Sequence, residues 1–406
     1  GGPHGPYFQS QRQHLYDEAA KKLVAAGHAY PCVLSSDELR VERETAEKAK
    51  RPYIHRGPRR DADPASNLEL LVDRKLPIRL KVPEGTTIKL DDLIRGHVEW
   101  QASDLGDPVI LRADGRALYN FATVVDDAAM EISHVIRGED HIANTAKQLL
   151  LYQALAASAP VFAHTPLILN KEGRKLSKRD GVTSVNDFRA MGYTAEALAN
   201  YMTLLGWSPP EGMDERFTLA EAAAVFDFER VNKAGARFDW EKLNWLNGQV
   251  LREQGPEHLR EQLLPLWAAK GWAGHADSVQ ADPGWQSDLC SLMGPSLTLL
   301  ADGVAQAEPF FTTPALNEAA EAQLASDGAK PALQALLQLL PPGPLESTQA
   351  QELLGQAAQE AGVKKGVIMK SLRAALLGSL QGPDLLATWL LLHRSGDDRA
   401  RIERCL

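Results

Sequence analysis

The sequence has little cysteine and no long apolar run. Cys32, Cys290 and Cys405 are its only cysteines in 406 residues, and they lie too far apart to suggest a disulfide framework or a metal-binding CxxC pair. No apolar stretch approaches the ~20 residues that a transmembrane helix needs, so we predict no membrane partner. The opening residues also lack the basic start and apolar core of a secretory signal. These absences favour a reducing, cytoplasmic location.

The composition is that of an ordinary globular protein, with 44% hydrophobic and 24% charged residues and a formal charge of −9. A chain of 406 residues is too long for one compact core, so we expect about two to four domains. The negative charge argues mildly against a nucleic-acid partner. A local basic face would nevertheless suffice for binding, so the average charge does not exclude one.

The hydrophobic pattern changes along the chain. Residues 10–28 predict a helix with Leu15, Ala19, Leu23 and Ala26 on one face. Residues 76–111 contain four short alternating segments that predict strands.

The next segments predict a parallel α/β sheet. Residues 117–127, "ALYNFATVVDD", and 132–141, "ISHVIRGEDH", each have the pattern of a buried strand that ends in charge. The second runs into the predicted helix "ANTAKQLLLYQALAA", and a strand followed by a helix is typical of a parallel sheet. Beyond residue 190 the pattern is helical almost throughout.

Ligands of open α/β sheets bind beyond the carboxyl ends of the strands, which makes the end of "HVIRGEDH" a candidate site. Arg137 can hold a carboxylate through two parallel charged bonds, and Tyr119 can add a directional contact. An equally open interpretation is a structural ion pair of Arg137 with Glu139 or Asp140. Glu139, Asp140 and His141 could also be metal ligands, but three adjacent residues rarely converge on one ion.

Two basic segments complete the candidates. "KLSKR" places Lys175, Ser177 and Lys178 on a glycine-flanked loop after "HTPLILN", a predicted strand of the same sheet, and this suits a polyphosphate. Three arginines lie among Gly and Pro, and they are either phosphate contacts or part of a solvated loop: Arg56, Arg59 and Arg60.

Together these motifs resemble a known family. "KLSKR" is similar to the KMSKS-type signature of class I aminoacyl-tRNA synthetases, and "LYNFATVVDDAAMEISHVIRGEDHIANT" resembles the glutamyl/glutaminyl subgroup. "FDWEKLNWLNGQVLRE" and the closing helices resemble bacterial-type glutamyl-tRNA synthetases. The resemblance covers essentially the whole chain and implies a Rossmann-type nucleotide-binding α/β catalytic domain, here incomplete, with an inserted α+β domain and C-terminal all-α domains.

The resemblance implies ATP-dependent ligation of L-glutamate to tRNA(Glu), with tRNA(Gln) as a second candidate acceptor. It assigns the triphosphate to Lys175, Ser177 and Lys178, with magnesium arriving on ATP. The other implied roles are glutamate binding by Tyr119 and Arg137, ATP binding by Leu167, Ile168 and His141, and tRNA binding by Arg56, Arg59 and Arg60. It further suggests a monomer.

The resemblance also divides the chain. Residues 1–28 would be a remnant of the first catalytic half, 29–115 the inserted acceptor-binding domain, 116–185 the second catalytic half, 186–254 a stem-contact domain and 255–406 the anticodon-binding domain. The family's N-terminal Pro-Ser-x-Thr-Gly loop and HIGH-type motif are absent, so we expect an N-terminally truncated enzyme of doubtful activity by itself.

Some of the positions that hold zinc in certain relatives carry other residues here. Some relatives bind zinc through Cys-x-Cys and Tyr-x-x-x-Cys, but the corresponding positions here are Cys32, Leu34, Tyr53 and Gly57, so we predict no zinc.

A non-catalytic tRNA-binding relative would lack the ATP motif too, although it would not need Lys175 and Ser177. If the chain were a generic nucleotidyltransferase, its helical C-terminal third would have no function. A glutaminyl or tRNA-modifying relative would lack this helical region.

Overall fold

The computed structural model describes residues 2–73, 75–176, 181, 184–272 and 278–406. The chain forms two compact units: Gly1–Lys175 with Leu205–Met213 and Ala223–Phe238, and Leu176–Leu204 with Asp214–Ala222 and Asp239–Leu406. Within the described ranges, no helix has both the length and the apolarity to cross a membrane.

The first unit combines helices with short strands. In chain order its main elements are α1 (Gln13–Ala25), β1 (Ala29–Pro31), α2 (Ser36–Lys48), α3 (Pro64–Asp73), β2 (Ile78–Leu80), β3 (Thr87–Asp92), β4 (Gly96–Gln101), β5 (Val109–Leu111), α4 (Tyr119–Ala129), β6 (His134–Gly138), α5 (Ile142–Ala154), β7 (Val161–Thr165), β8 (Ile168–Leu169) and β9 (Ala236–Arg237).

Helix α1 confirms the helix predicted near the start, but its buried face is rotated. Tyr16 and Ala20 are buried, whereas the predicted Leu15 is only half-buried and Ala26 is exposed. The Tyr16 hydroxyl donates to Asp126 at 2.8 Å, and this polar anchor turns Tyr16 inward. Burial and the Asp126 carboxylate together raise the pKa of Tyr16 to about 12.

The four strands predicted in residues 76–111 are confirmed. β1, β2 and β5 form an antiparallel sheet, and β3 and β4 form a hairpin. Their apolar side chains share one hydrophobic core with α1, α4, α5 and β7, in which Leu80, Phe121 and Phe162 are buried. The segment predicted as an inserted domain is therefore packed directly against the predicted catalytic segment.

The predicted parallel sheet is confirmed around α5. β6 and β7 pair in parallel, and the register sets Arg137 beside His164. The strand predicted over residues 117–127 is wrong, because α4 occupies that position. Its buried residues Phe121, Ala122, Val124 and Val125 follow helical spacing, although their β-branched and aromatic composition is typical of a strand.

The segment "HTPLILN" is not one strand of a single sheet, as predicted, but is split. β7 ends at Thr165, and β8 pairs in parallel with β9 in a separate two-stranded sheet.

The described part of the second unit contains helices and no strand. Its largest buried side chains are Trp267, Trp285 and Trp389. The helices are α6 (Val185–Met191), α7 (Ala195–Gly206), α8 (Leu219–Ala224), α9 (Trp240–Glu253), α10 (Gly255–Ala269), α11 (Pro283–Met293), α12 (Leu300–Phe311), α13 (Glu318–Leu324), α14 (Ala329–Leu339), α15 (Ser347–Glu360), α16 (Lys365–Leu377), α17 (Leu385–Ser395) and α18 (Asp397–Glu403).

Candidate active site

Arg137 lies at the end of β6 and is fixed by neutral partners. Its Nε donates to His164 Nε2 at 3.2 Å, and one terminal nitrogen donates to Thr145 Oγ1 and Gln148 Oε1, both at 2.7 Å. The other terminal nitrogen lies 3.5 Å from the Tyr119 hydroxyl. No sequence pattern singles out Thr145 and Gln148, because nothing in α5 distinguishes its buried polar residues from those of any other helix.

The positive charge of Arg137 has no carboxylate partner within 4.0 Å among the described residues. The structural ion pair with Glu139 or Asp140 is therefore wrong. Glu139 instead pairs with Arg95, and Asp140 pairs with Lys175. A guanidinium that is held only by neutral groups can accept the carboxylate of a ligand through charge-assisted bonds.

Tyr119 and His141 connect Arg137 to the following segment. The Tyr119 hydroxyl lies 3.3 Å from His141 Nδ1, and the two rings are tilted with centroids 5.7 Å apart. Tyr119 is half exposed, because it is the first residue of α4 and not part of a strand. A bound molecule can therefore reach this side chain.

Lys175 lies beside Asp140, with its Nζ 2.8 Å from Asp140 Oδ2. A tight turn positions this lysine, because Asn170 accepts backbone bonds from Gly173 and Arg174. Hydrogen bonding to Lys175 lowers the pKa of the Asp140 carboxyl. Ser177 and Lys178, the other predicted triphosphate contacts, lie outside the described residues.

Gly138 allows this close arrangement at the end of β6. A Cβ atom at that position would lie 2.7 Å from Asp140 Oδ1, so the Asp140 carboxylate would have to shift. Contacts link Arg137 to Tyr119 and Tyr119 to His141, and the neighbouring Asp140 pairs with Lys175; we call these five residues the strand-end cluster. Arg137 and Lys175, on which the synthetase interpretation depends, are both members of this cluster, and their roles stay predictions.

The predicted adenine contacts flank this cluster. The backbone N–H of Leu167 donates to Glu139 Oε1 at 3.2 Å, so this donor already has a partner. Ile168 is paired in register with Ala236 of β9. Their contact with adenine stays a prediction.

His164, which the sequence analysis did not select, is fully buried beside Arg137. Its Nδ1 lies 2.6 Å from Asp92 Oδ2. Burial lowers the pKa of His164 and outweighs the opposing effect of the Asp92 carboxylate, which favours the neutral ring. Only its position in the sequence could have indicated a role for His164, because it lies near the end of a strand predicted to share a sheet with Arg137.

The three arginines proposed for tRNA binding have partners within the protein. Arg56 and Arg60 both donate to the buried carboxylate of Asp107, at 3.3 and 3.1 Å. Arg59 donates to Asn67 and Ser66. The loop is therefore held by internal polar contacts and is not merely solvated, and phosphate contact by these arginines stays a prediction.

The positions that correspond to a zinc site are occupied by other contacts. A Cβ atom at Gly57 would lie 2.8 Å from the Tyr30 ring and 3.1 Å from His55 Nε2, so no thiol fits there without movement. Tyr53 donates to Glu42 at 2.9 Å. Across the described ranges, no group of three His, Cys, Asp or Glu side chains is arranged to hold a metal ion.

Comparisons with known proteins show which family this chain resembles. Residues 2–245 match the family described as "tRNA synthetases class I (E and Q), catalytic domain", and residues 258–406 match "Anticodon binding domain". A glutamate–tRNA ligase of Synechococcus sp. strain RCC307 is 57% identical over 99% of this chain and 85% of its own length. One from Prochlorococcus marinus strain MIT 9313 is 54% identical over the same shares.

A similar fold is found among solved structures. A glutamate tRNA ligase from Elizabethkingia meningosepticum, crystallised in complex with its amino acid, has a TM-score of 0.87 and 30% identity. The similarity covers 100% of this chain and 84% of that one.

Proposed function

Because the chain belongs to the glutamate–tRNA ligases, a family of class I tRNA synthetases, we propose that the strand-end cluster is its site for glutamate and ATP. The chain ligates glutamate to tRNA and uses ATP, and it contains a class I catalytic domain and a helical anticodon domain. The non-catalytic alternative is not favoured. The observation that carries the site assignment is the guanidinium of Arg137, which has neutral partners only.

The proposed reaction has two steps that need no covalent protein intermediate. A carboxylate oxygen of glutamate attacks the α-phosphorus of ATP and pyrophosphate departs; a ribose hydroxyl of the terminal tRNA nucleotide then attacks the acyl carbon, and AMP leaves. Arg137 and Tyr119 orient glutamate. Lys175, with Ser177 and Lys178, neutralises the charge on the departing pyrophosphate, and magnesium enters bound to ATP.

The remaining assignments are also proposals. Leu167, Ile168 and His141 border the nucleotide. The loop containing Arg56, Arg59 and Arg60 contacts the tRNA acceptor end, and the residues after 255 bind the anticodon. tRNA(Gln) as a second acceptor, a monomeric state and a cytoplasmic location stay predictions, and so do the five domain boundaries.

Aminoacylation of purified tRNA(Glu) and tRNA(Gln) transcripts by the full-length protein tests the function. We expect radiolabelled glutamate, and not glutamine, to be attached to tRNA(Glu) only when ATP is present. Binding of tRNA(Glu) without any glutamate transfer would contradict this expectation and would support the non-catalytic alternative. Attachment of glutamate to the tRNA(Gln) transcript in the same assay decides whether tRNA(Gln) is a second acceptor.

The protein is expected to bind no stoichiometric zinc, because Gly57 offers no ligand and its surroundings are filled by Tyr30 and His55. Elemental analysis of protein purified without chelator measures the zinc content. One zinc ion per chain would contradict this expectation.

A further inference from the structure

We propose that Asp92 and His164 are positioning residues for the amino-acid substrate: together they fix the orientation of Arg137 through the tautomer of His164. The proposal rests on the assignment of Arg137 to glutamate binding. It extends the site to two residues that contact no substrate themselves. Asp92 ends β3, 72 positions before His164, so the inserted segment would contribute directly to amino-acid binding.

The two carboxylate oxygens of Asp92 have different partners. Oδ1 accepts backbone N–H groups of Ile94, Arg95 and His164 at 2.8–3.1 Å and so holds the turn after β3 against β7. Oδ2 accepts from the His164 ring. One oxygen therefore maintains the local fold, and the other acts on the imidazole.

The contacts of His164 favour one tautomer. Two groups face its Nε2 atom: Arg137 Nε and the Thr145 hydroxyl, which lies 3.0 Å away and can either donate or accept. Arg137 Nε is always a donor, so His164 Nε2, 3.2 Å away, must accept. The ring proton therefore lies on Nδ1 and is donated to Asp92. In this state Asp92 orients the lone pair of His164 towards Arg137, in the way that outer carboxylates fix the histidines of metal sites.

This arrangement leaves one edge of Arg137 for the substrate. Nε is held by His164, and one terminal nitrogen is held by Thr145 and Gln148. The remaining nitrogen lies beside the half-exposed Tyr119. Loss of the Nε contact would let the guanidinium rotate away from the geometry in which it meets a carboxylate.

Asp92→Asn provides a sharp test in the full-length protein. The amide oxygen can keep the Oδ1 bonds, whereas the amide nitrogen would donate to Nδ1 and move the ring proton to Nε2, opposite Arg137. We expect the KM for glutamate in tRNA-dependent ATP–pyrophosphate exchange to rise about tenfold, as for loss of a hydrogen bond to a charged group. The KM for ATP should change less than about threefold, because the nucleotide does not depend on this bond.

The hairpin offers a matched control one residue away. Asp91 also contacts a histidine, His97 at 2.7 Å, but on the exposed side of β3. Asp91→Asn should leave both KM values unchanged. Thermal unfolding of both variants measures how much of any effect is a loss of folded protein.

Two substitutions of His164 give an independent comparison. His164→Gln can keep an acceptor near Arg137 Nε, whereas the shorter His164→Asn can replace only the Nδ1 side. We expect His164→Asn to raise the glutamate KM about tenfold and His164→Gln to raise it clearly less. This pair decides the question if Asp92→Asn does not fold.

Nitrogen-15 NMR of labelled histidine reports the tautomer directly. The His164 signal, identified by its loss in His164→Gln, should show the Nδ1–H form in the parent protein and the Nε2–H form in Asp92→Asn.

An unchanged tautomer, or equal increases in the KM values for glutamate and ATP, would overturn the proposal. If Asp92→Asn and His164→Asn had normal KM values for glutamate and Arg137→Lys had a raised one, the positioning role of Asp92 and His164 would be overturned. The assignment of Arg137 to glutamate binding would stand. An unaffected Arg137→Lys would overturn the assignment of Arg137 as well.

Discussion

Substitution of Lys175 by Ala is expected to slow formation of glutamyl-adenylate by a factor on the order of 10² or more, as for loss of a group that stabilises transition-state charge. Negative charge accumulates on pyrophosphate as its bond to the α-phosphorus breaks. An ammonium group placed on that side of the reaction stabilises the transition state more than bound ATP. The loss should therefore appear mainly in the rate and only weakly in the KM for ATP.

The ion pair with Asp140 is compatible with this role. The Lys175 side chain is 61% exposed and that of Asp140 is 42% exposed, and pairs of this kind contribute no more than about 1 kcal/mol. A triphosphate carries several negative charges and can displace the single carboxylate. Asp140 would then hold the lysine near its working position without competing strongly for it.

ATP–pyrophosphate exchange in the presence of tRNA measures this step in the full-length protein. Lys171→Ala is the matched control, because it removes a lysine from the exposed turn four residues earlier. A rate for Lys175→Ala that equals the control would exclude Lys175 from the chemical step. The same assay tests Ser177→Ala and Lys178→Ala.

Local sequence patterns predicted those parts of the fold that depend on neighbouring residues. The alternating strands β2 to β5 and the β6–α5 unit are such parts, because their periodicity is visible within a few residues. Helix α4 was mistaken for a strand because Phe121, Val124 and Val125 favour β structure, whereas their spacing, which decided the outcome, is helical.

In the candidate site, too, local motifs were predictable and contacts between distant residues were not. Arg137, Tyr119 and Lys175 were predicted from motifs, and the structure brings them into one cluster. The contact of Asp92 with His164 links residues 72 positions apart, and no local pattern announces a partner at that distance. The partners of Arg137 were invisible to sequence analysis for this reason, and the ion pairs inferred from adjacency were wrong.

Replacement of Arg137 by Lys is expected to raise the KM for glutamate by a factor of about 10 to 100, the equivalent of one or two charged hydrogen bonds. Lysine keeps the positive charge but loses the planar fork. One ammonium group cannot contact His164, Thr145 and Gln148 while it also binds a carboxylate. The KM for ATP should change little, because the proposed triphosphate contact is Lys175 and not Arg137.

The comparison between the two substrates makes this prediction specific to the role of Arg137. Arg112→Lys is a suitable control, since Arg112 is exposed and pairs only with Asp114 among the described residues. If Arg137→Lys raised both KM values equally, the substitution would have disturbed the whole site, and Arg137 would not be the glutamate-binding residue. A selective increase for glutamate, absent in Arg112→Lys, requires the guanidinium geometry itself, because the charge is the same in both proteins.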